Sequence, residues 1–189
     1  MSMTGLRTGA VALRTRAPWR PAMLVWQAPA AAALVALAAA VHGPVPALVG
    51  VACLAAVTPE LVRVDVAEHR LPDALTLPAC AAGLVGVALA GAAGQPMLPA
   101  LLAGAGVLAL FLVLAVAGGM GLGDVKLAGA LGVVLGLLGA ASVILFLVVA
   151  FLAGGVGALL VLARSGRRAR LPFGPFLLAG FWVALLASA

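Results

Sequence analysis

The chain has 189 residues, 66% of them hydrophobic and only 8% charged, with no tyrosine and a formal net charge of +6. A soluble domain carries about 25% charged residues, so a water-facing surface cannot be built from this composition, and an all-α, polytopic membrane helix bundle is expected. The positive charge does not suggest nucleic acid, because the eleven basic residues fall in clusters with no interleaved aromatic rings.

Residues 1–21 form a basic segment with Arg7, Arg14, Arg16 and Arg20, and residues 22–189 read as a single transmembrane domain. Seven spans are expected, at about 22–41, 44–62, 74–93, 98–117, 125–139, 141–163 and 172–188. A bilayer crossing needs roughly 17–25 apolar residues. The fifth span is short, and the seventh carries Pro172 and Pro175 near its start. The first has a second reading, since a basic stretch followed by the apolar run Ala30–Val41 also suits a cleavable signal peptide. Cys53 and Cys80 lie inside apolar stretches without CxxC or His/Cys spacing, so they read as packing residues and no metal is expected.

The connections test this count. With the N-terminus cytoplasmic, the cytoplasmic connections are 63–73, 118–126 and 164–170, and every Lys and Arg then falls on that side. Positive charge flanking spans sets topology in this sense. Adding or removing one span breaks the pattern. The five acidic residues, Glu60, Asp65, Glu68, Asp73 and Asp124, lie in or beside the same connections. An aspartate at bilayer depth costs about 2.5–3.5 kcal/mol on insertion scales, so its presence near a span requires a reason.

Most catalytic chemistries lack their parts. There is no HExxH for zinc, no GxSxG for a nucleophilic serine, and no GK[ST] for a phosphate loop. Carboxylates remain. Two aspartates brought together share a proton: one activates water as a base while the other, protonated, polarises a carbonyl. Asp124 lies in the stretch GMGLGDVK, where Gly119, Gly121 and Gly123 remove side chains and let another backbone approach. A helix N-cap is the plainer role for Asp124. In the segment RVDVAEHRLPD, Pro72–Asp73 looks like a helix start, which makes Asp73 a capping residue and leaves Asp65 as the preferred partner of Asp124.

The tetrad Gly121–Asp124 matches the GxGD motif of intramembrane aspartyl proteases. Taken with DVAEHRLPDALTLP upstream, GMGLGDVKL itself and LPFGPFL at 171–177, the chain resembles the type IV prepilin leader peptidases over roughly residues 60–176. The resemblance implies an aspartic endopeptidase of the inner membrane that cuts the basic leader from prepilins or pseudopilins at the cytoplasmic face. It also implies Asp65 and Asp124 as catalytic residues, with Gly121, Gly123, Lys126 and Asp73 as substrate-binding or supporting residues. Lys126 would hold Asp124 or a substrate carboxylate. Larger members carry an insert with paired CxxC motifs and an N-methyltransferase activity. Only His42–Gly43 separates the first two spans here, so peptidase activity without zinc or another cofactor is expected. Presenilin-like GxGD proteins pair the motif with Tyr-Asp, and this chain has no tyrosine. A different class, a small transporter or ion pathway using the same carboxylates, is the alternative. Against it stands their clustering at one face of the membrane.

Overall fold

A computed structural model describes residues 22–118, 120–165 and 171–188; the basic segment 1–21 and most of the run 164–170 lie outside the described residues. Seven helices follow one another: α1 (Ala22–His42), α2 (Ala47–Glu68), α3 (Asp73–Ala92), α4 (Leu98–Val116), α5 (Leu122–Gly136), α6 (Ala140–Ser165) and α7 (Gly174–Ala187). Four of them, α2, α3, α4 and α6, are long and apolar enough to cross a membrane. The described apolar part of α1, at Gln27–His42, is shorter, as are the 15-residue α5 and the 14-residue α7. The protein is an all-α membrane helix bundle.

Successive helices run in opposite directions, so the bundle has two ends. At one end the start of α3 meets the start of α5 through Lys126 and Asp73, and the start of α7 meets the last turns of α2 through Gly174 and Asp65. At the other end the His42 ring, closing α1, is 2.7 Å from the carbonyl of Leu185 near the end of α7. Three turns at this second end carry a glycine with positive φ, Gly43 at +67°, Gly94 at +77° and Gly139 at +121°. A side chain would be strained there.

The largest departure from the expected spans is at the end of α2. The polar residues Arg63–Glu68 are not a loop but its last turn and a half. The helix stops at His69, which adopts the left-handed conformation at φ 51° while its N–H closes on the Asp65 carbonyl at 2.8 Å. The connection to α3 is therefore only residues 69–72. Asp65 is in the helix, one turn before its end, and its side chain is buried.

The centre of the bundle is α5. It packs against α2, α3, α4, α6 and α7, and Leu127 through Gly132 are all buried. A helix with apolar residues on every side belongs in such a position. Between apolar helices the driving force is close packing, which small residues permit. Gly129, Gly132 and Gly136 of α5 present their backbone to Leu108, Val107 and Ala100 of α4. A Cβ at residue 136 would lie 2.8 Å from both Ala100 Cα and Ala103 Cβ. Gly136→Leu should therefore push α4 from α5 and destabilise the bundle by about 1–3 kcal/mol. A melting temperature in detergent equal to that of the parent protein would contradict this packing.

Candidate active site

The site lies at the end of the bundle where α2 finishes and α3, α5 and α7 begin. Asp65 comes from α2. Its Oδ2 accepts a hydrogen bond from the backbone N–H of Gly174 at 2.8 Å, across 109 positions of sequence. Gly174 is the first residue of α7, after Phe173 as N-cap. The carboxylate thus satisfies one of the free donors of the helix and sits at the positive end of its dipole, an arrangement worth about 0.3–2 kcal/mol. The site has no room for a larger residue at 174, because a Cβ there would meet Asp65 Oδ2 at 2.7 Å. His69, one turn after Asp65, is near enough to interact with its charge.

Asp124 comes from the first turn of α5. The N-cap is Gly121, with extended backbone, so Asp124 occupies the third helical position and is not the cap itself. Its Oδ2 reaches back to accept from the Gly121 N–H at 3.2 Å. Its other oxygen, Oδ1, is buried and has no hydrogen-bond partner among the described residues. Buried polar atoms are nearly always paired, so such an oxygen marks a place where a further polar group fits. The two carboxylates are close enough for the charge of Asp65 to act on Asp124.

Leu71 wedges the site together. A Cβ on Gly123 would lie 2.8 Å from Leu71 Cβ and 3.3 Å from its carbonyl oxygen, while the far end of the same side chain packs over Gly174. Gly123 therefore admits the chain's own α2–α3 connection. Gly121 is exposed, and a Cβ there would have Asp124 Oδ2 as its nearest neighbour, at 3.3 Å. Of the three glycines expected to admit a peptide, Gly119 lies outside the described residues, Gly123 faces Leu71, and Gly121 is exposed beside the Asp124 carboxylate.

Two further expectations are corrected. Asp73 is the first residue of α3, after Pro72 as N-cap, and makes no capping hydrogen bond. Its exposed carboxylate accepts from Lys126 Nζ at 2.7 Å. Lys126 thus spans α5 to α3 and does not touch Asp124. Solvated pairs of this kind contribute about 0–1 kcal/mol. Their service here is to hold two helix starts side by side. The start of α7 has its own anchor, because the Phe173 ring stacks near Phe111 of α4, Phe151 of α6 and Phe176 at centroid distances of 6.3, 6.0 and 6.1 Å.

Gly174 and Leu71 were not singled out from the sequence. Gly174 lies within the segment LPFGPFL, whose family resemblance was the pointer to it in the sequence.

Residues 49–159, more than half of the chain, match the profile described as the type IV leader peptidase family. The chain belongs to this family. Its matched region holds Asp65, Asp73 and the Gly121–Lys126 stretch, and ends before α7. Among curated relatives of this family member, it is 39% identical over 137 residues to a protein of Aeromonas hydrophila named "Prepilin leader peptidase/N-methyltransferase". It is 40% identical over 129 residues to one of the same name from Xanthomonas campestris pv. campestris. The alignments take in 67% and 64% of this chain but only 45% and 43% of those relatives. The chain thus spans less than half their length. No solved structure matches it.

The two glycines should respond differently to substitution. Gly123→Val displaces Leu71 and should cost about 1–3 kcal/mol, whereas Gly121→Ala should leave the melting temperature nearly unchanged. Equal losses in thermal unfolding would contradict the separate roles.

Proposed function

We propose that the chain is a membrane aspartic endopeptidase that removes the short leader from prepilin or pseudopilin precursors, with Asp65 and Asp124 as the dyad that activates water. One observation carries this reading above the others. Two carboxylates from different helices lie close enough to interact through their charge, one of them with a buried oxygen that has no partner among the described residues. Membership of the type IV leader peptidase family supports the same substrate class. The names of the relatives support it too.

Chemically the pair needs one proton between two acids. The base takes a proton from water, the water oxygen attacks the scissile carbonyl, and the acid protonates the carbonyl oxygen. No metal or covalent intermediate is required. Gly121 is the point of entry in this reading, because it is exposed, carries no side chain and lies next to the Asp124 carboxylate. Lys126 and Asp73 support the site by fixing the starts of α5 and α3.

The working face is cytoplasmic in this proposal. Arg63, Arg70, Lys126 and Arg164 stand at the same end of the bundle as the dyad, which the positive-inside bias assigns to the cytoplasm. The substrate leader, basic itself, would be delivered from that side. The proposal is confined to peptide cleavage. Methyl transfer, included in the relatives' names, is not assigned to this chain, which has no CxxC motif.

Co-expression with a prepilin-like precursor tests the reading. Leader removal is expected with the parent protein, and Asp65→Asn or Asp124→Asn should reduce it by at least about 10²–10⁴-fold. Cleavage that persists in either variant would remove the dyad from the mechanism. An inert parent protein that instead conducts cations in proteoliposomes, and loses this with either variant, would establish the transporter alternative. The rate of leader removal should also rise and fall about a pH optimum, as expected of two coupled carboxyl groups. A profile flat through the acid range would contradict the coupling.

A further inference from the structure

The two carboxylates are not in equivalent surroundings. Asp65 is held by a main-chain N–H at the start of a 14-residue helix, a donor that cannot turn away or give up its hydrogen. Hydrogen bonds from a fixed donor to a carboxylate favour the ionised form, and the positive end of the helix dipole adds to this. Asp124 also stands in the first turn of a helix and accepts from the Gly121 N–H on Oδ2, but its Oδ1 is buried with no partner among the described residues. A bare, buried oxygen suits a protonated carboxyl that will donate to a substrate oxygen. It does not suit an anion, whose charge would be uncompensated.

We propose that the N–H of Gly174 is a positioning group of the reaction centre, holding Asp65 as the ionised, water-activating carboxylate and leaving the shared proton on Asp124. This rests on the peptidase reading above and divides its two roles. Asp65 takes a proton from water as the water oxygen bonds to the scissile carbonyl carbon, and the Asp124 proton moves to the carbonyl oxygen. In collapse of the resulting diol, the C–N bond breaks and the amine nitrogen takes the proton from Asp65. Asp124 recovers one from a diol hydroxyl. One water is consumed, and both aspartates return to their starting states.

Asp65 is itself buried, so the Gly174 N–H must offset its desolvation as well as act beside the neighbouring groups. From α5 it faces Asp124, and from its own helix His69. From α7 it meets the backbone N–H of Gly174, and the connection before α3 brings the apolar Leu71 to that same glycine. Lys126 is engaged with Asp73.

Gly174→Ala is a poor probe, because its Cβ would strike Asp65. Replacing residue 174 by glycolic acid through nonsense suppression in cell-free translation instead exchanges the N–H for an ester oxygen and adds no atom at Cα. The proposal expects the acid limb of the cleavage profile to move up by about one to two pH units, matching loss of one hydrogen bond to a charged group. KM should change little. A uniform loss of rate with both limbs unmoved would mean that Gly174 is merely structural, and would overturn the proposal. A second measurement needs no substrate and no change of side chain. Aspartate labelled with ¹³C at its carboxyl group is placed at 65 or at 124, and its infrared carboxyl band is read in nanodiscs at the pH of highest activity, or at neutral pH if there is none. The expected result is a carboxylate band from 65 and an acid band from 124. The reverse, or the same band from both, overturns the assignment. Failure of the parent protein to cleave any precursor would instead remove the peptidase reading while leaving this division of protonation measurable.

Discussion

A carboxylate at the margin of a bilayer must find donors or a counter-charge, because the alternative is an uncompensated group in a medium of low polarity. Much of the described structure at one end of this bundle answers that need. Glu60 accepts from Arg63 and from Gln27 of α1, Asp65 from the start of α7, Asp73 from Lys126, and Asp124 from Gly121. Apart from the Glu60–Arg63 pair within α2, each partnership joins a helix to another helix or fixes a helix start. The placement of α1, α3, α5 and α7 around α2 is thus bound up with keeping acids partnered, and among the described residues the buried carboxylate oxygen without a hydrogen bond belongs to Asp124.

The far end of the bundle and its interior obey a different rule. There the chain is almost uniformly apolar, and shape alone selects neighbours. The glycine row of α5 against α4, and Gly180 of α7 against the Phe146 carbonyl of α6, bring backbones into contact that any side chain would separate. Trp182 adds a polar stitch, donating to Thr58, which in turn donates to the Leu54 carbonyl. A rigid interior of this sort supports a site whose two halves come from helices widely separated in sequence.

Seven helices, and the gathering of acidic residues at one end, were legible in the sequence because hydropathy and the distribution of Arg and Lys carry both. The end of α2 was not. Arg63–Glu68 is polar enough to pass for a loop, yet the helix continues because backbone hydrogen bonds remain its best option even where the side chains reach water. The partners of the acids were not legible either. Asp73 and Lys126 are 53 positions apart, and Asp65 and Gly174 are 109 apart. Only packing brings them together. Asp73 looked like a cap because of Pro72, but a nearby ammonium competes successfully for its carboxylate. Gly123 looked like an opening for substrate because glycine allows any close approach. Periodicity cannot say that the occupant is Leu71.

The bond from Gly174 to Asp65 also sets an order of events during biosynthesis. Asp65 leaves the ribosome 109 residues before its donor does, and at roughly 5–20 residues per second that interval lasts about 5–20 s. Through that time Asp65 lacks this donor, and Asp124 enters the chain before Gly174 does. A nascent chain therefore carries both acids before the bond that joins α2 to α7 can form, and that contact is completed only once α7 is in place.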